Sequence, residues 1–533
     1  MSRIFKKRST RTIHLLLLLS VSVPSFMINL DANIVAVSLP SIARSLHADF
    51  AAIEWVVSAY TLTFGCLVLP AGALADRYGR KRFLLLGVGV FTVGSLLCAG
   101  APSVVVLNSA RVLQGVGAGL QLSASLAILS HEFNGADRAR AFAFWGMMVG
   151  TAIVLGPIAG GIITQTFGWE WAFCVNPPIG LGLILLVLRF VPESADPYAD
   201  HLDVPGFVLF SGCVFALTLA LISGNAHGWS SLLVVAAFGC AVLLLAGFVA
   251  AEARQQRPMV DLHLFRLPTF VGANIAALAF AATLLTMLTY LPIYFQGALG
   301  CAPLQAGLLI LPLGLLLVII PRLVAVHLTH RLSGRALLTA GLSLVAGGLV
   351  ALAIAAPLFS YVTLIPGLLA AGTGAGVLNS EVVKVGMTVV PHERAGMASG
   401  VSGTVRFTGI VIGFAALGAV FAGRVTSVLR SGLENFGATL SGGGIDHAAL
   451  VRSVIAGDLT VAVSSAPEAA RASLHSLVMT GFGGGFRAIL LVAAAFAAFS
   501  ALLTWALVRQ QDTTPVERKS RTRPLGAATL VRD

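Results

Sequence analysis

The chain has 533 residues, 57% of them hydrophobic and 11% charged, with a mean hydropathy of +0.92. Soluble proteins carry roughly 25% charge, so a soluble fold and a disordered chain are both excluded. The net charge of +12 is spread over many short segments, which marks membrane topology and not a nucleic-acid partner.

Apolar runs long enough to cross a bilayer predict helices over residues 12–40, 51–75, 83–101, 104–130, 140–163, 171–190, 204–223, 229–251, 269–295, 304–327, 336–356, 358–385, 396–421 and 486–508. The fold class is an all-α polytopic membrane protein with fourteen spans. A β-barrel does not fit, because its strands alternate with period 2. Residues 1–11 are a basic stretch that mimics the start of a signal peptide. Many spans follow and no small-residue cleavage site is clear, so the first helix reads as retained. Residues 12–190 hold six spans, 204–251 two more and 269–508 the last six; 509–533 form a basic tail.

An even span count puts both termini on one side. With that side cytoplasmic, the cytoplasmic segments hold 24 Lys and Arg, against six outside. The positive-inside rule therefore places the termini in the cytoplasm, as in a bacterial inner membrane. The cysteines, Cys66, Cys98, Cys174, Cys213, Cys240 and Cys301, lie singly in or beside apolar runs and read as small core residues.

The long external connection 422–485 is rich in Gly, Ser and Ala. Its patch 446–478 reads as an amphipathic, surface-lying helix; the sharper alternative is a docking site for a periplasmic adaptor protein. The sequence also repeats itself. Asp137-Arg138-Ala139 returns as Glu393-Arg394-Ala395, and Asp76-Arg77 as His330-Arg331, with shifts of 256 and 254 residues. Two parallel halves of this kind are built into transporters, with the site between them.

Four stretches carry a specific pattern. The loop after the second span reads Gly72-Ala73-Leu74-Ala75-Asp76-Arg77-Tyr78-Gly79-Arg80-Lys81-Arg82. The fourth span contains Arg111-Val112-Leu113-Gln114-Gly115-Val116-Gly117-Ala118-Gly119, and the fifth Gly156-Pro157-Ile158-Ala159-Gly160-Gly161. The first span ends Leu30-Asp31-Ala32-Asn33 through Ser38-Leu39-Pro40. Together with Trp169-Glu170-Trp171 ahead of Asn176-Pro177-Pro178, and Gly396-Met397-Ala398-Ser399-Gly400 ahead of Arg406 and Gly409, they resemble the fourteen-helix drug:proton antiporters of the major facilitator superfamily. The resemblance implies two six-helix halves with two inserted helices. It implies a conformational switch at Gly72, Asp76, Arg77, Gly79 and Arg80, and an antiporter seam at Gly156, Pro157, Gly160 and Gly161. It gives Arg111 a part in proton transfer and makes Asp31 a proton- or cation-binding acid. The family pattern has a glycine where Ala152 stands and commonly an arginine where Glu170 stands.

Charged residues within spans are costly and usually functional. Asp31 lies near the middle of the first span, with Asn29 and Asn33 as its expected polar neighbours. Glu381 lies three residues before Lys384, the spacing of an ion pair on one helix face; a second proton site is the alternative. Glu54, at the start of the second span beside Trp55, reads as an interfacial residue. Trp145, Met148, Tyr290, Tyr294 and Asn379 are candidate substrate contacts, since aromatic faces hold cations and Met adapts to varied shapes; interface belt and ordinary packing are the competing readings.

No phosphate loop is present, because Gly442-Gly443-Gly444 and Gly483-Gly484-Gly485 lack a following Lys-Ser/Thr. Nucleotide and cofactors are therefore not expected, and the energy source is a proton gradient. The expected function is not enzymatic but proton-coupled efflux of lipophilic, cationic compounds. The alternatives are an antiporter dedicated to one metabolite or antibiotic, and an uptake symporter.

Overall fold

The computed structural model describes residues 2–513 apart from 49, 134, 196–202, 256–259, 330, 391–394, 441–446, 456, 460–462 and 464–467. His330, Glu393 and Arg394 of the internal repeat, and the tail from 514 onward, lie outside the described residues.

Among the described residues there are thirteen helices long and apolar enough to cross a membrane, and fourteen when one bent pair counts as a single span. The first half comprises α1 (Ser2–Ser45), α2 (Phe50–Tyr78), α3 (Arg80–Ala99), α4 (Val104–Glu132), α5 (Gly135–Thr166) and α6, which runs from Trp171 to Phe190 with a break after Cys174. The inserted pair is α7 (Val204–His227) and α8 (Leu232–Arg254). The second half comprises α9 (Pro268–Gly297), α10 (Pro303–Leu328), α11 (Gly334–Ala355), α12 (Tyr361–Met387), α13 (Ala395–Leu440) and α14 (Glu468–Leu507). Helix is forced by the solvent, since lipid offers no partner for backbone N–H and C=O groups. The pair α2 bends by 51° where Pro70 removes a backbone donor.

Small residues set the helix spacing. A Cβ on Gly94 would stand 2.9 Å from the Gln114 nitrogen, and one on Gly117 would collide with the backbone of Phe91. These contacts bring α3 and α4 backbone to backbone. The same close approach recurs between α11 and α12 at Gly348 and Ala371.

The halves meet at the end away from the 76–82 loop. One apolar core runs from Val35, Leu39 and Ile53 of the first half into Leu291, Tyr294 and Ile310 of the second. The core around Ala75, Leu84, Ile128 and Val187, toward the loop end, is separate. Gln296 of α9 donates to the Val37 carbonyl of α1 at 2.9 Å.

The 422–485 connection differs most from expectation. It is largely a continuation of two spans: α13 has 46 residues and α14 has 40. At 1.5 Å per residue α13 is roughly 69 Å long, about twice the hydrocarbon core. Within the patch 446–478, a short helix, His447–Ile455, buries Leu450 and Val454 in the same core as Leu429, Leu433 and Leu474. It packs on the bundle instead of lying free on the surface, because its apolar face finds those side chains.

Gly117→Val is expected to cost about 1–3 kcal/mol through overpacking, seen as a lower heat-unfolding midpoint in detergent. Gly89→Val, whose Cβ would meet nothing within 4 Å, should leave the midpoint in place.

Candidate functional site

The centre of the first half is a buried ion pair. Arg111 of α4 donates from Nη1 to Asp31 Oδ2 of α1 at 2.7 Å, with side-chain exposures of 1% and 0%. The other carboxylate oxygen accepts from Gln114 Nε2 at 2.9 Å and from Asn176 Nδ2 at 2.7 Å. Ser95 of α3 accepts from both amides, at 2.7 and 3.1 Å. The guanidinium also donates to Gln114 Oε1 at 2.6 Å and, through Nε, to the Val56 carbonyl of α2 at 3.0 Å. Its face lies 4.0 Å from the centre of the Tyr60 ring. Charges in a low dielectric are tolerated only when paired and hydrogen-bonded, and this set meets that condition with groups from five helices.

Local sequence explains part of the set. Gln114 follows Arg111 by three residues and so shares its face of α4. Asn176 opens the longer piece of α6 just ahead of Pro177-Pro178, where a helix start brings its side chain inward. Asn29 and Asn33 do not join Asp31. Their amides bond back to the Ser25 and Asn29 carbonyls, both at 2.8 Å, since residues two apart on a helix face different ways. Gln114 and Asn176 take the places expected for them.

The antiporter seam has two sides. Gly156 and Gly160 lie against Asn33 and Ile34 of α1. A Cβ on Gly161 would come within 2.5 Å of Leu304 Cα in α10, and Gly307 of α10 packs on the Pro157 carbonyl. The motif thus joins α5 to its own half and to the other half at the closed end.

The switch loop is anchored within the first half. Asp76 pairs with Arg80 at 2.7 Å. Gly79 has φ +115°, a conformation that favours glycine, and its α-carbon faces the Glu193 carboxylate. Glu193 accepts from the Lys81 N–H at 3.1 Å and stands 3.6 Å from Arg82. A Cβ on Gly72 would meet Ser123 Cβ at 3.9 Å, and Arg77 is exposed with its guanidinium 5.2 Å from the Tyr78 ring centre. Glu193, just past the end of α6, carried no motif to flag it.

The remaining candidates are scattered. Glu381 is buried and forms the i,i+3 pair with Lys384 at 3.2 Å. Asn379 accepts from Arg406 at 3.4 Å. Trp145 donates to Ser25 Oγ at 2.8 Å, and Met148 is half-buried beside it in sequence. Tyr290 and Tyr294 are fully buried. Their hydroxyls donate to the Phe414 and Ala356 carbonyls at 2.9 and 2.6 Å, and their rings pack among Phe414, Phe482 and Phe486. They are core residues here and not at a membrane surface. Glu54 is also buried, against Tyr290 and Gly418 of the second half; its position at the start of a span suggested an interface, but the packing of α2 on α9 and α13 encloses it.

The sequence profile of the Major Facilitator Superfamily matches residues 21–414, most of the chain, including the ion pair, the loop and the seam. The chain belongs to this superfamily. Within it, the chain is 39% identical over 428 residues to the multidrug resistance protein Stp of Mycobacterium tuberculosis, covering 79% of this chain and 78% of that one. It is 34% identical to the methylenomycin A resistance protein of Streptomyces coelicolor, covering 74% and 83%. Its fold is shared with a bacterial homologue of the human lysosomal transporter Spinster in an inward-facing, occupied conformation, at TM-score 0.62, 14% identity and coverage of 94% and 98%. This major facilitator is a multi-pass membrane protein.

Arg111→Ala would leave the Asp31 charge buried without a partner and should cost about 3–5 kcal/mol. Adding Asp31→Asn to it should recover more than half of that loss. Heat or denaturant unfolding of the two single variants and the double variant measures both.

Proposed function

We propose that this major facilitator is a proton-coupled exporter of lipophilic, cationic drugs, working by antiport across a bacterial cytoplasmic membrane with both termini inside. The observation that carries the reading is the Asp31–Arg111 pair, sealed in the membrane interior of the first half. The similarity to the multidrug resistance protein Stp supports drugs as the cargo. No nucleotide or cofactor takes part; the proton gradient supplies the energy.

A proton arriving from outside neutralises Asp31. The attraction to Arg111 then weakens, while Gln114, Asn176 and Ser95 keep the carboxyl in place. Arg111 is freed to turn toward its other partners, Gln114 and the Val56 carbonyl. Because those partners belong to α4 and α2, the change of charge is felt where α2 meets the second half. Release of the proton inward restores the pair. The loop at Asp76 and Arg80 and the seam at Gly156–Gly161 hold the two end states. A periplasmic adaptor would meet the α13 and α14 extensions, which reach well past the bilayer.

In proteoliposomes, addition of a cationic dye should release protons in the wild type, and Asp31→Asn should reduce that release by tenfold or more. Undiminished coupled transport in the variant would overturn the mechanism.

A second reading, export of one dedicated antibiotic, is favoured by Arg406. This arginine lies within α13, close to Asn379 and 5.6 Å from the Phe280 ring centre, and joins none of the described ion pairs. Such a cation suits a substrate with an acidic group. If this reading holds, Arg406→Gln cells lose protection from acidic antibiotics while keeping any protection from cationic dyes. Loss of dye protection alone would exclude it.

A further inference from the structure

Glu54 is 3% exposed and sits where three helices meet. It stands on the side of α2 opposite Val56, whose carbonyl holds Arg111, because residues two apart face away from each other. The same helix therefore touches the Asp31–Arg111 pair on one side and the second half on the other.

The surroundings of the carboxyl are specific. Gly418 of α13 lies against it, and any side chain there would occupy the place of the Glu54 oxygen. The Tyr290 hydroxyl of α9 lies beside the same carboxyl. That hydroxyl has one hydrogen, and it is donated to the Phe414 carbonyl at 2.9 Å. While that hydrogen stays on Phe414 the oxygen can only accept from Glu54; turned to Glu54, it leaves the Phe414 carbonyl without its donor. Among the described residues Glu54 Oε1 has no hydrogen-bond partner, and Glu54 joins none of the described ion pairs. From the other elements around α2, α4 contributes Arg111 and α1 contributes Asp31, which are bound to each other. The inserted α7 contributes Val214 and Phe215, and α13 contributes Gly418 and Phe414.

A carboxylate buried with no cation and with one oxygen unpartnered is strongly disfavoured; a neutral carboxyl, which has a hydrogen to donate, fits the same place and lets Tyr290 keep its hydrogen on Phe414. We propose that Glu54 is a second proton-binding site, distinct from Asp31, and that the halves close at this end only when Glu54 is protonated. On closure the carboxylate takes up one proton, and the new O–H donates to the Tyr290 oxygen while Tyr290 keeps its own hydrogen on Phe414. On opening, water reaches the carboxyl and the proton leaves. Acid on that side of the membrane thus drives closure. The inference goes beyond the exporter reading and needs no substrate, only the two-state motion of the halves.

The test uses the full chain in lipid nanodiscs, with the six native cysteines replaced and spin labels at Ser45→Cys and Leu358→Cys, both exposed near the closed end. Distances are measured from about pH 5 to about pH 9, a range that spans the titration of perturbed carboxyls. In the wild-type background the closed-to-open ratio should fall about tenfold per pH unit in the transition, as one proton per closure requires. Glu54→Gln, whose amide can also donate to Tyr290, should stay closed throughout. Glu54→Asp, which keeps an ionisable group, should respond to pH with a moved midpoint. Asp31→Asn should still close with acid, which separates this proposal from the coupling role of Asp31. A Glu54→Gln protein that opens with pH as the parent does, or a parent with no pH response, would overturn it.

Discussion

Everything in the first half depends on keeping a carboxylate and a guanidinium in a place where neither is solvated. Removing two ions from water costs several kcal/mol each, and their attraction repays this only with good geometry and full hydrogen bonding. The chain meets that demand with side chains from several helices. Asp31 comes from α1, Arg111 and Gln114 from α4, Ser95 from α3, Asn176 from α6, and a backbone carbonyl from α2. No subset of these helices satisfies the pair, so the helices are held in one arrangement by polar requirement as well as by packing. The glycine contacts between α3 and α4 serve the same end, because only close backbones let Ser95 and Gln114 meet.

The second half is joined by different means. Tyr294, Phe421, Phe482 and Phe486 form a ring cluster that links α9, α13 and α14, Tyr290 stacks on Phe414, and the two tyrosine hydroxyls are satisfied by backbone carbonyls. Between the halves lies a seam of small residues: Gly161 and Gly307 where α5 meets α10, and Gly418 where α2 meets α13. Such surfaces separate without breaking an ion pair, which suits an interface that opens and closes. Among the described residues, the costly group on that seam is Glu54. It makes the interface sensitive to protonation, and it lies on the helix that also touches the buried pair.

Much of this was legible in the residues. The spans followed from apolar run length, because the bilayer imposes a minimum on it. Asp31 and Arg111 stood out because charges are rare inside spans, and the Glu381–Lys384 pair followed from helical spacing. Other features were not legible. Asn29 and Asn33 were nearest to Asp31 in sequence yet bond to their own helix, while Asn176, 145 residues away, reaches the carboxylate. For Tyr290 and Tyr294 the sequence left substrate contact, membrane belt and ordinary packing open, and the packing of α9 against α13 and α14 places both in the core. The 422–485 segment looked like a loop because Gly, Ser and Ala lower its hydropathy, although such residues also continue a helix that has neighbours to pack on.

The sequence by itself determined the solvent and the list of charges that must be accounted for within it. An all-helical, fourteen-span bundle follows from that alone, and Asp31 and Arg111 enter the short list of charges inside spans, because transfer of backbone and charge into hydrocarbon leaves few solutions. The partners were decided by tertiary structure. Whether an acid within the bundle meets an arginine, as Asp31 does, or a phenol and a glycine, as Glu54 does, depends on which helices pack together over separations of tens to hundreds of residues. That pairing makes Asp31 the centre of one half and Glu54 a point of contact between the two.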